Sequence, residues 1–147
     1  MQKLIEKRGI MGNQTIYFKS QPRNVATSTI AGPKECEGII GRYVETALSD
    51  DMYGETTYEK AECKMLSHVI DGAITNAGFK RDEVDMIVSG DLLNQIISAS
   101  FAARDFSIPF LGVYGACSTM AESLAVAAAR SEEHTSELHS QFHLVCR

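Results

Sequence analysis

The residues best suited to chemistry are grouped in Val113-Tyr114-Gly115-Ala116-Cys117-Ser118-Thr119-Met120. An apolar run enters a glycine turn, a thiol occupies the turn, and an alanine-rich stretch of helical character leaves it. A group at the start of a helix faces the positive end of the helix dipole. Thiols in such surroundings are more ionised and more nucleophilic than free cysteine. The small neighbours Gly115, Ala116 and Ser118 leave room for a ligand close to the backbone. This is the cysteine counterpart of the strand-to-helix nucleophile turn of hydrolases, without a literal G-x-S-x-G pattern. Cys117 is the candidate nucleophile position, and Cys117 with Ser118 the candidate ligand-contacting pair. The opposing reading is a cysteine that serves as a small buried hydrophobe.

A second segment, Gly90-Asp91-Leu92-Leu93-Asn94-Gln95, places a polar turn after an apolar run. Open α/β sheets bind ligands at such strand ends. The same residues also spell a helix start with Asp91 as N-cap, and physics alone favours that simpler reading. No general base can be assigned before residue 130. The one histidine there, His68, falls on the polar side of a helical pattern, which predicts a solvated side chain. Cys36 and Cys63 read as structural or incidental. Cys36, Cys63, Cys117 and Cys146 are spaced too widely for a disulfide framework, and no C-x-x-C pair suggests zinc. No cofactor or metal is expected.

The elements that must hold these residues are readable from periodicity. Thr15 to Phe18 is β-branched and aromatic, a short strand. Residues 24–38 read as an extended piece broken at Ala31-Gly32-Pro33, and 37–55 as loop with a helical turn. Thr56 and Glu59 form a capping-box pattern that opens a helix over 58–77. Its inner face carries Ala61, Met65, Val69 and Ala73, flanked by Leu66, Ile70 and Ile74. Gly78 is placed to end it in a left-handed conformation. Buried strands are predicted at 86–89 and 109–114, with helices over 94–104 and 118–129. The alternation predicts an α/β domain in which the two strands run parallel and adjacent.

Composition narrows the classes of function. The chain is 44% hydrophobic and 22% charged, with a formal charge of -5, as expected of a globular protein rather than a disordered one. No basic stripe is present to neutralise phosphates, which argues against nucleic acid as a partner. No apolar run approaches the roughly 20 residues of a membrane helix. The opening MQKLIEKRGI lacks the apolar core of a secretory signal, so a cytoplasmic chain is expected, with membrane contact at most peripheral.

Residues 130–147, RSEEHTSELHSQFHLVCR, do not continue the pattern. RSEEHTSEL is what one reading frame of a common sequencing adapter encodes. The expected division is therefore a partial domain over 1–129 and a non-native tail over 130–147. On that reading His134, His139, His143 and Cys146 carry no evolved chemistry and should not converge on a metal.

The strand-turn-helix around Cys117 resembles the nucleophile turn of the condensing-enzyme superfamily, the thiolases and ketoacyl synthases. Gly90 to Arg104, GDLLNQIISASFAAR, is similar to the strand end and helix that precede it in that fold. Ala31-Gly32-Pro33-Lys34-Glu35, Gly90 to Gln95 and the later IPFLGVYGACST narrow the resemblance to the stage V sporulation protein AD family of endospore-forming bacteria, over residues 12–129. The resemblance implies a layered αβαβα thiolase-like fold, of which this chain holds only the N-terminal part of the first half. It implies a non-catalytic role in binding dipicolinic acid and moving it into the developing spore. It implies association with other proteins of the stage V sporulation operon at the spore inner membrane, and allows a homodimer of the whole protein. The alternative within the superfamily is an acyltransferase fragment that uses Cys117 as acyl acceptor.

Overall fold

The computed structural model describes residues 10–11, 15–18 and 21–134. Two short strands, β1 (Ile10–Met11) and β2 (Thr15–Ile16), pair antiparallel. The chain then runs extended into β3 (Ile30–Ala31), which Gly32-Pro33 converts into a single helical turn, α1 (Pro33–Cys36). Proline suits the first position of a helix because its missing N–H would have no partner there. A 3-10 turn over Gly41–Tyr43 leads to β4 (Thr46–Ala47), parallel to β3 in the register Ile30 to Thr46 and Ala31 to Ala47. Sequence periodicity gives no sign of β4, since a two-residue strand has no period to read.

Helix α2 (Tyr58–Ala77) is the longest element among the described residues and matches the expected bounds. Its cap lies one residue later than the expected box. Thr57, not Thr56, is the N-cap, and its Oγ1 accepts from the Lys60 N–H at 3.3 Å. The third helical position is therefore Lys60 rather than Glu59, and the reciprocal carboxylate bond of a capping box is not made by the expected pair. Gly78 ends the helix at φ 75°, ψ 19°, with its N–H shared between the carbonyls of Ile74 and Thr75. Glu62 is buried together with the expected apolar face.

Strand β5 (Ile87–Ser89) and strand β6 (Phe110–Gly112) are parallel neighbours, paired Ile87 to Phe110, Val88 to Leu111 and Ser89 to Gly112. Between them lies α3 (Ile97–Arg104), which begins three residues later than the sequence suggests. The last helix, α4 (Thr119–His134), continues past Ala129. Helix α2 packs on α3, α3 packs on β6, and α4 packs on β5. The main core joins Leu66, Val69, Ile70 and Ile74 of α2 to Val84, Ile87, Ala99, Ala102, Ala103, Phe106 and Ile108. The result is a mixed α/β architecture of helices around small sheets, each of two strands among the described residues. No described helix is long and apolar enough to cross a membrane. His139, His143 and Cys146, and the side chain of His134, lie outside the described residues.

Candidate functional site

The ends of β5 and β6 bring together the two segments that the sequence singles out. After Ser89 the backbone passes Gly90, where an added Cβ would overlap the Val113 carbonyl oxygen and lie 2.8 Å from Thr119 Cγ2. The turn that follows β5 is thus pressed against the turn that follows β6. The last cross-strand bond, Val113 N–H to the Ser89 carbonyl at 3.0 Å, joins them at the same level.

Cys117 sits in a 3-10 turn, Ala116–Ser118, that runs directly into α4. Ala116 before it has φ 48°, a left-handed conformation unfavourable for a residue with a Cβ. Local hydrogen bonds hold that shape. Ser118 donates its hydroxyl to the Gly115 carbonyl at 2.7 Å, the Ser118 N–H reaches the same carbonyl at 2.9 Å, and the Gly115 N–H donates to Thr119 Oγ1 at 3.2 Å. The candidate ligand-contacting hydroxyl of Ser118 therefore has its proton engaged within the turn. Cys117 itself is exposed. A shallow cavity of about 420 Å³ lies elsewhere, lined by Ala31, Gly32, Lys34, Glu35, Asp51 and Tyr58 among others.

Asp91 is not the simple N-cap that the sequence suggests. Its carboxylate is 3% exposed and accepts three backbone N–H groups: Oδ1 takes Asn94 at 3.3 Å and Ile96 at 3.0 Å, and Oδ2 takes Ala99 at 2.9 Å. The residue that enters α3 is Ile96, left-handed at φ 75°, next to Gln95 at φ 48°. Five residues therefore intervene between Asp91 and the helix whose first turn it serves. That is why α3 starts late.

His68 also departs from expectation. It is half-buried, with Nε2 3.1 Å from Thr46 Oγ1 and Nδ1 3.3 Å from the Tyr53 hydroxyl. Both ring nitrogens are engaged by hydroxyls of the β4 region. Lys64 donates to the Tyr53 carbonyl at 2.8 Å and lies 4.6 Å from the Tyr53 ring centre, which fixes the loop that supplies one partner. Burial, and after it the nearby Asp105 carboxylate, push the Cys63 thiol up from its ordinary value. Cys36 points its Sγ at the Ala31 carbonyl, 3.6 Å away. No group of three or more His, Cys, Asp or Glu side chains among the described residues could hold a metal ion.

A family model described as Stage V sporulation protein AD matches residues 12–139. The chain belongs to the stage V sporulation protein AD family. Stage V sporulation protein AD of Bacillus subtilis (strain 168) is 34% identical over 120 residues, which cover 82% of this chain and 36% of that protein. The chain thus spans little more than a third of the length of the curated relative it matches. Both turns at the ends of β5 and β6, and the Ala31–Glu35 segment, fall within the family match. Neither the three-bond role of Asp91 nor the engagement of His68 is visible in the sequence: each depends on backbone or hydroxyl groups brought in by folding.

Proposed function

We propose that this stage V sporulation protein AD relative is a binding protein for dipicolinic acid, acting in its movement into the developing spore. The observation that carries the reading is the family match over residues 12–139. The chain forms the opening part of a layered thiolase-like domain, and the turns at Gly90–Ile96 and Gly115–Ser118 form one wall of the ligand site. A dicarboxylate needs several convergent donors or cations. Between Gly90 and Ala129 the one cationic side chain is Arg104, which lies 3.3 Å from Asp105 and stacks on Phe101. The remaining contacts come from the parts of the family protein that this chain does not match.

The role is non-catalytic. Nucleophilic catalysis by a thiol needs a base within hydrogen-bond reach. Among the described side chains the one histidine, His68, has its ring nitrogens engaged by Thr46 and Tyr53, and the acylation test below reads out any base that the rest of the family protein supplies. The protein acts on the cytoplasmic side, peripheral to the forespore inner membrane, beside other products of the stage V operon. The test is a chimera in which residues 12–129 replace the matching part of the Bacillus subtilis relative. Calorimetry should show saturable one-to-one dipicolinate binding, weakened when Cys117 is replaced by a bulkier residue. Absence of binding overturns the reading. Acylation of Cys117 by an acyl thioester, seen by mass spectrometry, would replace it with the acyltransferase alternative.

A further inference from the structure

We infer that Asp91 is a positioning residue for the Cys117 turn. The inference rests on the proposed role of that turn as a ligand-facing wall. The first observation is the buried carboxylate and its three backbone donors, Asn94, Ile96 and Ala99. Such a carboxylate is costly to disturb, because the Ala99 N–H would be left without an acceptor away from water and the other two bonds would be lost with it. The second is the strained pair that these bonds hold, Gln95 and Ile96, both left-handed. A β-branched residue rarely adopts that conformation, and such outliers persist only where surrounding bonds fix them.

The third observation shows where the constraint is delivered. A Cβ added at Gly112 would lie 2.6 Å from Ile96 Cγ2, so the Ile96 methyl is seated directly on the last residue of β6. Three residues later begins the turn that presents Cys117. Gly90, next to Asp91, is pressed on the Val113 carbonyl from the other side. Asp91 thus anchors a loop that grips the end of β6 at Gly112 and Val113, and the Cys117 turn inherits its register from that grip.

The test uses the 147-residue chain and two variants. Asp91→Asn keeps the size of the side chain but turns an amide group, unable to accept, toward one of the donors. Asp91→Ala removes both acceptor oxygens and with them all three bonds. Iodoacetamide rate constants are measured for each cysteine by peptide mapping, with Cys36 and Cys63 as internal references, alongside amide hydrogen exchange. In Asp91→Asn the ratio of the Cys117 rate to the Cys36 rate should change at least threefold. Exchange at Val113 and Ser118 should quicken at least tenfold, while the Cys63-to-Cys36 ratio and the α2 amides stay constant. Asp91→Ala should show the same pattern, more strongly. The inference is overturned if all the cysteines quicken together, which reports general unfolding. It is equally overturned if only the amides of Asn94, Ile96 and Ala99 respond. Labelling requires no dipicolinate, so failure of the ligand reading leaves this result standing, and the reverse also holds.

Discussion

Replacement of Gly90 by alanine tests whether the two strand-end turns are truly pressed together. Gly90 is buried and is not among the residues at positive φ, so alanine carries no conformational penalty there. The obstacle is steric: the new methyl group would overlap the Val113 carbonyl oxygen, which is backbone and cannot rotate away. Relief requires the ends of β5 and β6 to separate. Overpacking of this kind costs about 1–3 kcal/mol. Separation also weakens the Val113 N–H to Ser89 bond, a further loss of about 0.5–1.5 kcal/mol. The expected total is about 1.5–4.5 kcal/mol, read as a lowered urea midpoint with an unchanged slope. Gly78→Ala is the matched control. Gly78 has φ 75° with open space around its Cβ position, so alanine there meets only the left-handed backbone cost of about 1–2 kcal/mol. If Gly90→Ala proves no more than about 0.5 kcal/mol less stable than the parent, a typical surface effect, the close approach described here is wrong.

The cap register predicts that Thr57→Ala destabilises by about 1 kcal/mol while Thr56→Ala is near neutral; thermal or urea melts of the pair would show the reverse if the cap were Thr56. Because burial raises the Cys63 thiol, its alkylation rate should climb at higher pH in the folded chain than in the unfolded one. The sign of the linked stability follows: the contribution is fully present below the unfolded thiol value and is lost as pH rises through the folded one. Dipicolinate titrated into the 147-residue chain alone should give no micromolar binding by calorimetry, since Arg104 is already engaged by Asp105 and Phe101.

Much of this fold is legible in the sequence where a long period or a strong stop signal is present. Twenty residues of amphipathic pattern closed by Gly78 define α2, and two apolar runs separated by a helix define the parallel pair β5 and β6. Legibility fails where one side chain overrides local preference. Asp91 draws in the N–H groups of Asn94, Ile96 and Ala99, so residues of good helical character stay outside α3. Two adjacent threonines offer the same hydroxyl, and only packing decides that Thr57 is the cap. His68 reads as solvated because its partners, Thr46 and Tyr53, lie 22 and 15 residues away in a stretch without periodicity. Cys117 can be placed at the turn from its glycine and helix neighbours alone, but its exposure is a tertiary property.

The main core has a further consequence for how the molecule opens. Its buried members run from Leu66 to Ile108, and the segment before α2 adds Ile30 as a partly buried neighbour. That segment adds the buried Leu48 outside the main cluster and reaches α2 through polar contacts as well: Asn76 to the Thr27 carbonyl at 2.8 Å, and His68 to Thr46 and Tyr53. Contacts of this kind are readily exchanged for water, whereas a packed core opens only as a unit. Amides of residues 21–57 are therefore expected to exchange with solvent sooner than those of α2, α3 and the β5–β6 pair. A protease would meet the extended backbone around β3 and β4 long before it reached the helices.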